Sequence, residues 1–251
     1  MFAEIGSQGG GLLDDNSRIF NAPAEALTLE SLTLTGGRTT ETNALGSAVL
    51  GGTVTLCDSA LSGNSTSGDR GYGGALFATD ATVETTTLSG NSKAGERAYG
   101  GGLAAYDATL TDSLVLGNKA QQSGDELIGT VSFTGANLVG ANALAFDASV
   151  SGAVAHADPT QVFAQSFDNN GVQAGVLADN GGQTETILIL ESGPAQNAGT
   201  NPTPPATDQR GELRNDTATD LGAVELQPSP FGEIGSLAIT SSQQTVTLQK
   251  S

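Results

Sequence analysis

Segments of this chain recur at a constant spacing of 27 residues, and this period constrains its fold more than any other feature. The segment Leu-Ser-Gly-Asn at 61–64 recurs at 88–91 and, as Val-Leu-Gly-Asn, at 115–118. The segment Tyr-Gly-Gly-Ala-Leu at 72–76 recurs as Tyr-Gly-Gly-Gly-Leu at 99–103. A fixed period of this length is typical of a solenoid, in which each repeat is one coil that packs on its neighbours.

The apolar residues of each repeat alternate with polar ones in short runs rich in Thr, Val and Leu, which indicates strands rather than helices. We expect one ladder of equivalent apolar residues inside a narrow core, formed by Leu29, Leu56, Val83 and Leu110. A further short strand is expected after each glycine pair, as in 74–78. The sequence therefore predicts an all-β fold, a right-handed parallel β-helix with coils of about 27 residues.

The charge of the chain excludes several classes of partner. It carries 9 Lys and Arg against 27 Asp and Glu, a net charge of −18 at pH 7. Nucleic acids and anionic membranes require a basic surface, so we expect no nucleic-acid partner. No stretch approaches the roughly 20 apolar residues of a membrane-spanning helix, so we expect no transmembrane segment in this chain. The single Cys57 excludes an intrachain disulfide.

We expect that the chain was cut from a longer surface protein or that its start is misassigned. Residues 1–5 lack the basic and hydrophobic regions of a signal peptide, and Gly9–Gly11 resemble the corner of a coil whose beginning is missing. Residues 228–251 contain no sorting motif or hydrophobic tail. We therefore predict β-helix repeats over residues 1–130, with a truncated N-terminus. We predict a linker or the start of a further β domain over residues 228–251.

The repeat itself resembles that of the polymorphic outer-membrane proteins, F-x-x-N followed by G-G-A-[ILV]. Leu61 and Leu88 stand at the position of the phenylalanine, so the resemblance is partial. It covers residues 9–118 at most and favours the same β-helical architecture.

A second resemblance rests on an ordered series of motifs between residues 130 and 227. The motifs are Asn-Leu-Val-Gly (137–140), Asp-Pro (158–159), Asp-Asn-Gly-Gly-Gln-Thr-Glu-Thr (179–186), Ser-Gly-Pro-Ala-Gln-Asn-Ala-Gly (192–199), Asp-Gln-Arg-Gly (208–211) and Asp-Leu-Gly-Ala-Val-Glu (220–225). This series resembles the C-terminal module of the choice-of-anchor Q proteins, except that the Gly-Ser-Pro order of the family is altered at 192–194. The resemblance implies a bacterial, exported, surface-associated protein in which residues 131–227 continue or cap the β-helix. It implies no reaction.

The variable loops 65–72 and 92–99 place similar residues at equivalent positions of neighbouring coils. The equivalent pairs are two acids, two arginines and two tyrosines, namely Asp69 with Glu96, Arg70 with Arg97, and Tyr72 with Tyr99. Tyrosine rings stack on sugars, and arginines and acids hydrogen-bond to hydroxyl groups, so this face is the predicted ligand-binding site. The alternative is that each arginine covers a tyrosine and bonds to the adjacent acid, which would tie loop to loop.

Two further sets of residues are predicted to be structural. Equivalent asparagines would stack at one corner and hydrogen-bond along the solenoid as a ladder of Asn64, Asn91 and Asn118. Arg210, one of only nine basic residues, would clamp the end of the solenoid by bonding to Asp208, Asp220 or Glu225.

Metal binding and catalysis have weaker support in the sequence. Asp80 and Asp107 align in neighbouring coils, where two carboxylates would be close enough to share a calcium ion, but no calcium-loop consensus is present. The metal content is therefore undetermined, and no other cofactor is expected. His156 is the only histidine, and no catalytic triad or zinc site can be built around it from the sequence.

The leading interpretation is an extracellular or bacterial cell-surface β-helical protein without catalysis, either adhesin-like, glycan-binding or structural. Its partner would be a polysaccharide or a cell-surface molecule. The alternative is a polysaccharide lyase or glycoside hydrolase on a β-helix scaffold, since Arg70 and Arg97 lie together. A purely structural spacer is the third interpretation.

Overall fold

The computed structural model of the protein describes residues 4–6, 17–141, 149–152, 154–214 and 218–227. Nearly all of its regular structure is β-strand, with a single turn of helix. In chain order the elements are β1 (Glu4–Gly6), β2 (Phe20–Glu30), β3 (Thr33–Thr35), β4 (Arg38–Thr39), β5 (Val49–Cys57), β6 (Ala60–Ser62), β7 (Ser65–Thr66), β8 (Leu76–Glu84), β9 (Thr87–Ser89), β10 (Ser92–Lys93), β11 (Leu103–Thr111), β12 (Leu114–Val115), β13 (Lys119–Ala120), β14 (Leu127–Thr134), β15 (Leu138–Val139), β16 (Ser149–Ser151), β17 (Ala155–His156), α1 (Pro159–Val162), β18 (Ser166–Asn169), β19 (Val172–Gly175), β20 (Leu177–Ala178) and β21 (Thr186–Ile187).

Three parallel sheets form the faces of a β-solenoid. The long sheet contains six strands in the order β16-β14-β11-β8-β5-β2, and the second sheet contains seven in the order β1-β3-β6-β9-β12-β15-β17. The third sheet contains β13, β10, β7 and β4. In the long sheet Val49 pairs with Leu76, and Leu76 pairs with Leu103, so successive coils are 27 residues apart as predicted. The pairing of Leu103 with Leu127 shows that the next coil is shorter.

Two of the apolar ladders in the core between the sheets run along the solenoid as follows. The ladder predicted from the sequence is confirmed and gains one member, since its residues pair in register and are at most 5% exposed: Leu29, Leu56, Val83, Leu110 and Phe133. The second sheet contributes a ladder whose members are all fully buried: Leu34, Leu61, Leu88, Val115 and Val139. Most of the side chains in this thin core are alanine, valine and leucine. This explains why the repeats contain so few aromatic residues.

One detail of the coil differs from the prediction. The segment after each glycine pair is not a separate strand, because it runs on into the next predicted strand as one element, as in β8 from Leu76 to Glu84. No Gly, Pro or Asn interrupts 76–84. Two consecutive exposed residues, Thr79 and Asp80, shift the alternation by one residue, so that Ala78 before them and Ala81 after them are both buried. The third strand of each coil is instead the two-residue element after the corner asparagine, such as β7.

The described residues between 157 and 227, namely 157–214 and 218–227, are here called the lateral module, and they pack beside the solenoid against the outer face of the second sheet. Apolar side chains of α1 and of the following segments form a second core with Leu114 and Leu138, to which they contribute Val162, Phe163, Ile187, Ile189, Ala195 and Leu221. Hydrogen bonds connect the module to several coils, for example from Ala223 N to Thr87 Oγ1 at 3.1 Å. No helix in the described part of the chain is both long enough and apolar enough to cross a membrane.

Candidate functional site

The tyrosines predicted to lie together do so on the solenoid surface. Leu45, Tyr72, Tyr99 and Ser123 form a column of parallel β-bridges, one from each of four coils. The rings of Tyr72 and Tyr99 stack with their centroids 5.9 Å apart and their planes 20° apart. Tyr72 is 39% exposed, whereas Tyr99 is half-buried against a small apolar cluster.

The loops that lead to these tyrosines are tied to one another mainly through the backbone. Arg70 N donates to Glu96 O at 2.7 Å, and Asp69 Oδ1 accepts a hydrogen bond from Glu96 N at 2.9 Å. Lys93 lies buried beneath the loops, where its Nζ donates to the carbonyl oxygens of Gly68 and Ala94. Burial lowers the pKa of Lys93 to about 8. These contacts hold the two loops in parallel.

The two loop arginines do not form the ion pairs with the adjacent acids that the alternative interpretation requires, among the residues that the structure describes. Arg70 and Arg97 are exposed and both adopt left-handed backbone conformations, with φ of 56° and 58°. Neither takes part in an ion pair among the residues that the structure describes. The ion pairs of that part are Lys119–Asp125, Arg210–Asp208, Arg214–Asp58 and Arg214–Glu225. The guanidinium groups therefore remain available to solvent or to a ligand.

Two aromatic residues that sequence reasoning missed lie next to the tyrosine column. Phe77 and Tyr106 contact each other edge to face, with centroids 6.1 Å apart and an interplanar angle of 80°. Tyr106 is 68% exposed. A depression of about 370 Å³ lies among these rings, and its lining consists of Leu45, Tyr72, Phe77, Ala104, Ala105, Tyr106, Ile128 and Gly129. We call this depression, with the adjoining Tyr99, the aromatic groove.

All three tyrosines of the chain therefore border one surface feature. A local sequence pattern could have predicted that Tyr106 is exposed. Tyr106 and Asp107 are two consecutive non-core residues between the core alanines Ala105 and Ala108. Both members of that pair are exposed, and both alanines are buried. A strict period of two would have placed one of the pair in the core.

Carboxylates lie in the strands that form the floor of the groove. Asp107 directly follows Tyr106 in β11 and pairs in register with Asp80 of β8, and both are exposed. Thr53 and Thr130 occupy the same register position in the flanking coils. Two carboxylates alone supply fewer ligands than the six to eight oxygens that calcium takes. Within the described residues, no group of three or more His, Cys, Asp or Glu side chains is arranged to hold a metal ion.

The corner asparagines form a continuous, buried hydrogen-bonded ladder. Asn64 Nδ2 donates to Asn91 Oδ1 at 2.9 Å, and Asn91 Nδ2 donates to Asn118 Oδ1 at 2.8 Å. Each Nδ2 also donates to a backbone carbonyl of the preceding coil, for example that of Leu61. The ladder leaves no side-chain amide group of these three residues free to contact a ligand.

The ladder ends on a carboxyl group that the sequence did not reveal. Glu126 Oε2 accepts Asn118 Nδ2 at 2.6 Å, and Glu126 Oε1 accepts Gly117 N at 2.9 Å. The amide of Asn118 cannot turn round, because its oxygen already accepts from Asn91. Glu126 is buried, and this burial raises its pKa to about 8 in spite of the donors that surround it.

A second cavity of about 480 Å³ lies between the last coils and the lateral module. Its titratable lining residues are Asp125, Glu126, His156 and Asp158. Most of these groups already have partners within the fold, because Lys119 pairs with Asp125 at 3.2 Å and the oxygens of Glu126 accept from the ladder. The ring Nδ1 of His156 lies 3.1 Å from the carbonyl oxygen of Gly140. The cavity therefore presents few uncommitted catalytic groups.

The predicted clamp residues lie inside the lateral module. Arg210 bonds to Asp208 through Nε at 2.9 Å and Nη2 at 2.8 Å, while Asp220 accepts hydrogen bonds from the backbone of Asn197 and Leu226. The arginine that reaches the solenoid is Arg214, which the sequence analysis did not select. Its Nη2 donates to Asp58 Oδ1 at 2.7 Å.

Comparison with known proteins gives no significant match to a protein-family model, a curated protein or a solved structure.

Proposed function

We propose that this chain is a non-catalytic, surface-associated β-solenoid that binds a glycan in its aromatic groove. The observation that carries the proposal is the concentration of all three tyrosines and Phe77 at one surface depression. Sugar rings stack on aromatic rings through their apolar faces and hydrogen-bond at their edges, so such a surface suits them. Tyr106 offers the most accessible ring.

The shape of the groove also fits a chain-like ligand. The column from Leu45 to Ser123 crosses four coils, and successive coils of a parallel sheet lie about 4.8 Å apart. A polymer lying along this column would contact equivalent positions of neighbouring repeats. The exposed Arg70 and Arg97 lie two residues before the tyrosines of this column and, with their neighbouring acids, offer donors and acceptors for hydroxyl groups.

The proposed location rests on the resemblance rather than on the groove. The ordered motifs between residues 130 and 227 resemble the choice-of-anchor Q module, whose members are exported and held at bacterial cell surfaces. The strongly acidic composition favours solubility outside the cell. An adhesin-like role at the cell surface, with a polysaccharide or a neighbouring cell as partner, follows from these two features.

Tyrosine fluorescence provides a direct test, because the chain contains no tryptophan and its tyrosines all border the groove. Neutral and charged oligosaccharides titrated into the protein are expected to change this emission saturably. Tyr106→Ala is expected to weaken binding about fivefold, since an aromatic contact contributes about 0.5–1.5 kcal/mol. Leu213→Ala removes an equally exposed side chain of the lateral module and is expected to bind as the wild type does.

The same mixtures distinguish binding from cleavage. If polysaccharides incubated with the protein become shorter, the protein is a lyase or hydrolase and the non-catalytic proposal is wrong. If their size distribution is unchanged and no tyrosine signal appears with any of them, the protein is a spacer and glycan binding is wrong. A saturable signal without shortening supports the proposal.

A further inference from the structure

Arg70 and Arg97 occupy a backbone position that does not suit arginine. They belong to a set of equivalent residues, one from each of three neighbouring coils, that all adopt left-handed conformations with φ of 63°, 56° and 58°: Asn43, Arg70 and Arg97. Asparagine and glycine adopt this conformation readily, whereas other residues do so at a cost in free energy. The repeat has a favoured residue in the first of these coils and arginine in the next two.

The side chains of the two arginines form no polar contact that would offset this cost. Both are exposed, and neither guanidinium forms a hydrogen bond or an ion pair with any residue that the structure describes. Residues held in unfavourable backbone conformations cluster at ligand-binding and active sites. The two arginines therefore fit a role in binding better than a role in the fold.

The loops hold the two arginines next to each other and next to aromatic rings. Arg70 N donates to Glu96 O at 2.7 Å, so the loops are in register and the Cα atoms of Arg70 and Arg97 lie about 4.8 Å apart, the spacing of neighbouring strands. Two residues further on, Tyr72 and Tyr99 stack with their centroids 5.9 Å apart. We call these two arginines and two tyrosines the arginine–tyrosine face.

The charges around this face are positive on balance. The loops 38–45, 65–72 and 92–99 belong to this group, and so does Arg18, whose Nη2 donates to Leu45 O at 2.8 Å. The basic residues of the group are Arg18, Arg38, Arg70, Lys93 and Arg97, and the acidic residues are Glu41, Asp69 and Glu96. The group therefore has a net charge of +2, whereas the remainder of the chain has −20.

Two of the three acids in this group already interact with the fold. Asp69 Oδ1 accepts the N–H of Glu96 at 2.9 Å, and its charge opposes the fall in the pKa of the buried Lys93. Glu41 acts in the same way on the pKa of Arg18, which is lowered by burial. Glu96 is the remaining acid, and its single charge does not neutralise two exposed guanidinium groups.

Four charged residues of the neighbouring elements lie outside this face. Asp80 and Asp107 belong to the long sheet and do not line the aromatic groove. Lys119 and Asp125 pair with each other at 3.2 Å, so their charges cancel. Exposed charges more than about 8 Å apart are largely screened at physiological ionic strength, so distant acids do not prevent an anion from binding to the arginines.

We propose that the arginine–tyrosine face selects an acidic glycan, one whose successive sugar units carry carboxylate groups. This ligand class depends on the glycan-binding function proposed above. The guanidinium group of arginine presents a rigid fork of donors that matches a carboxylate, and two such forks one coil apart would bind two carboxylates of one polymer. Tyr72, which is 39% exposed, offers a ring for a sugar of the same polymer.

The charge of the face also disfavours the other ligand classes. A neutral glycan would stack on the same rings but would leave both guanidinium groups without a partner. A glycan with protonated amino groups would be repelled by them. The inference is therefore a preference among glycans, set by two residues that do not form the aromatic surface.

The test compares two tetrasaccharides that differ in charge, tetragalacturonate and its methyl ester. Both are titrated at about pH 7, where free carboxyl groups are ionised. Tyrosine emission is expected to show about fivefold tighter binding of the acid, as two exposed ion pairs would provide. The preference is expected to shrink in high salt.

Arg70→Asn with Arg97→Asn gives both positions the residue that the repeat has at Asn43. Because asparagine suits the left-handed backbone, this double variant is expected to melt at the temperature of the wild type or above it. It is expected to bind both tetrasaccharides equally, with the affinity of the wild type for the ester. The control is Arg38→Asn, which removes an exposed positive charge from the same group of loops and is expected to retain the preference.

Each contrary outcome has a distinct meaning. Equal affinity of the wild type for the two tetrasaccharides, or a preference that survives Arg70→Asn with Arg97→Asn, overturns the acidic-glycan inference and leaves glycan binding intact. A preference that Arg38→Asn also loses shows that only the net charge of the loops matters, and a lower melting temperature of the double variant shows that the arginines serve the fold. Both results likewise overturn the inference. The absence of a tyrosine response to either tetrasaccharide and to the wider panel overturns the proposed function itself.

Discussion

The side-chain amide of Asn64 donates to the side-chain oxygen of Asn91 at 2.9 Å, although the two residues are a full coil apart. The same oxygen accepts the backbone N–H of Asn64 at 3.1 Å. One side chain thus closes the corner of its own coil and fixes the position of the coil before it. Because Asn118 repeats this arrangement, the corner is stabilised cooperatively along the solenoid.

Asn91→Ala is expected to destabilise the protein by about 3 kcal/mol. The substitution removes the acceptor of the buried backbone N–H of Asn64 and one acceptor of its side-chain amide, and each unsatisfied buried group costs about 1–3 kcal/mol. Urea unfolding monitored by circular dichroism measures the change. Gln122→Ala, which truncates an exposed amide in the same region, is the control and is expected to have little effect. A loss of less than about 1 kcal/mol in Asn91→Ala would show that water replaces the ladder.

Glu126 is expected to make the stability of the protein fall as the pH rises. Its pKa is about 8 in the folded protein against 4.5 for an unperturbed glutamate, so the folded state binds a proton more tightly than the unfolded state. The resulting stabilisation is complete below about pH 4.5 and is lost as the pH rises through 8. The difference reaches about 5 kcal/mol when the shift is converted to free energy.

Glu126→Gln tests this dependence because glutamine does not titrate, although its NH2 group cannot accept from Gly117 or Asn118 as both carboxyl oxygens do. The variant is expected to melt below the wild type near pH 4.5, where it lacks one acceptor, and not to show the fall in melting temperature that the wild type shows as the pH rises through 8. Glu185→Gln, at an exposed position, is the control and is expected to follow the wild type. Parallel curves for wild type and Glu126→Gln would show that Glu126 stays ionised in the fold.

The sequence predicted the features of the fold that repeat, because a period of 27 residues and a period of two together determine which residues pair and which face inward. Leu56 and Val83 pair as predicted for this reason. The predicted separate strand after each glycine pair was wrong, because no local signal shows whether an uninterrupted run of β-forming residues bends. Glu126 escaped prediction since its role depends on a coil that is shorter than the repeat.

The candidate site was predicted only in part. Tyr72 and Tyr99 could be placed together because they are equivalent in the repeat. Phe77 and Tyr106 come from non-equivalent positions, so only the three-dimensional structure brings them to the same surface. The contact between Arg214 and Asp58 joins residues far apart in the chain, and neither period contains information about it.

Val83→Asp is expected to prevent folding, because it places an unpaired carboxylate in a fully buried ladder between Leu56 and Leu110. Thr82→Asp is the control, since its side chain is the adjacent, exposed one in the same strand. Circular dichroism and thermal melting of the two variants are expected to show an unfolded Val83→Asp and a Thr82→Asp close to the wild type. Equal behaviour of the two would contradict the inward assignment of the ladder.

Arg214→Met is expected to release the lateral module from the solenoid and to cost about 3–5 kcal/mol, because it leaves the buried Asp58 without its cation. Hydrogen exchange is the suitable measurement. The amide of Gly222, which donates to Asp112 O, is expected to lose protection, whereas the amide of Val83 in the long sheet is expected to keep it.

Two comparisons make that result specific. Adding Asp58→Asn to Arg214→Met removes the buried charge that the arginine no longer pairs, so the double variant is expected to recover part of the stability that the single variant loses. Arg38→Met removes an exposed arginine and is expected to change nothing. Burial already raises the pKa of Asp58, and the arginine opposes that rise, so the defect of Arg214→Met is expected to shrink as the pH falls and Asp58 becomes neutral. A module that stays protected in Arg214→Met would show that the apolar contacts around Leu114 hold it without the ion pair.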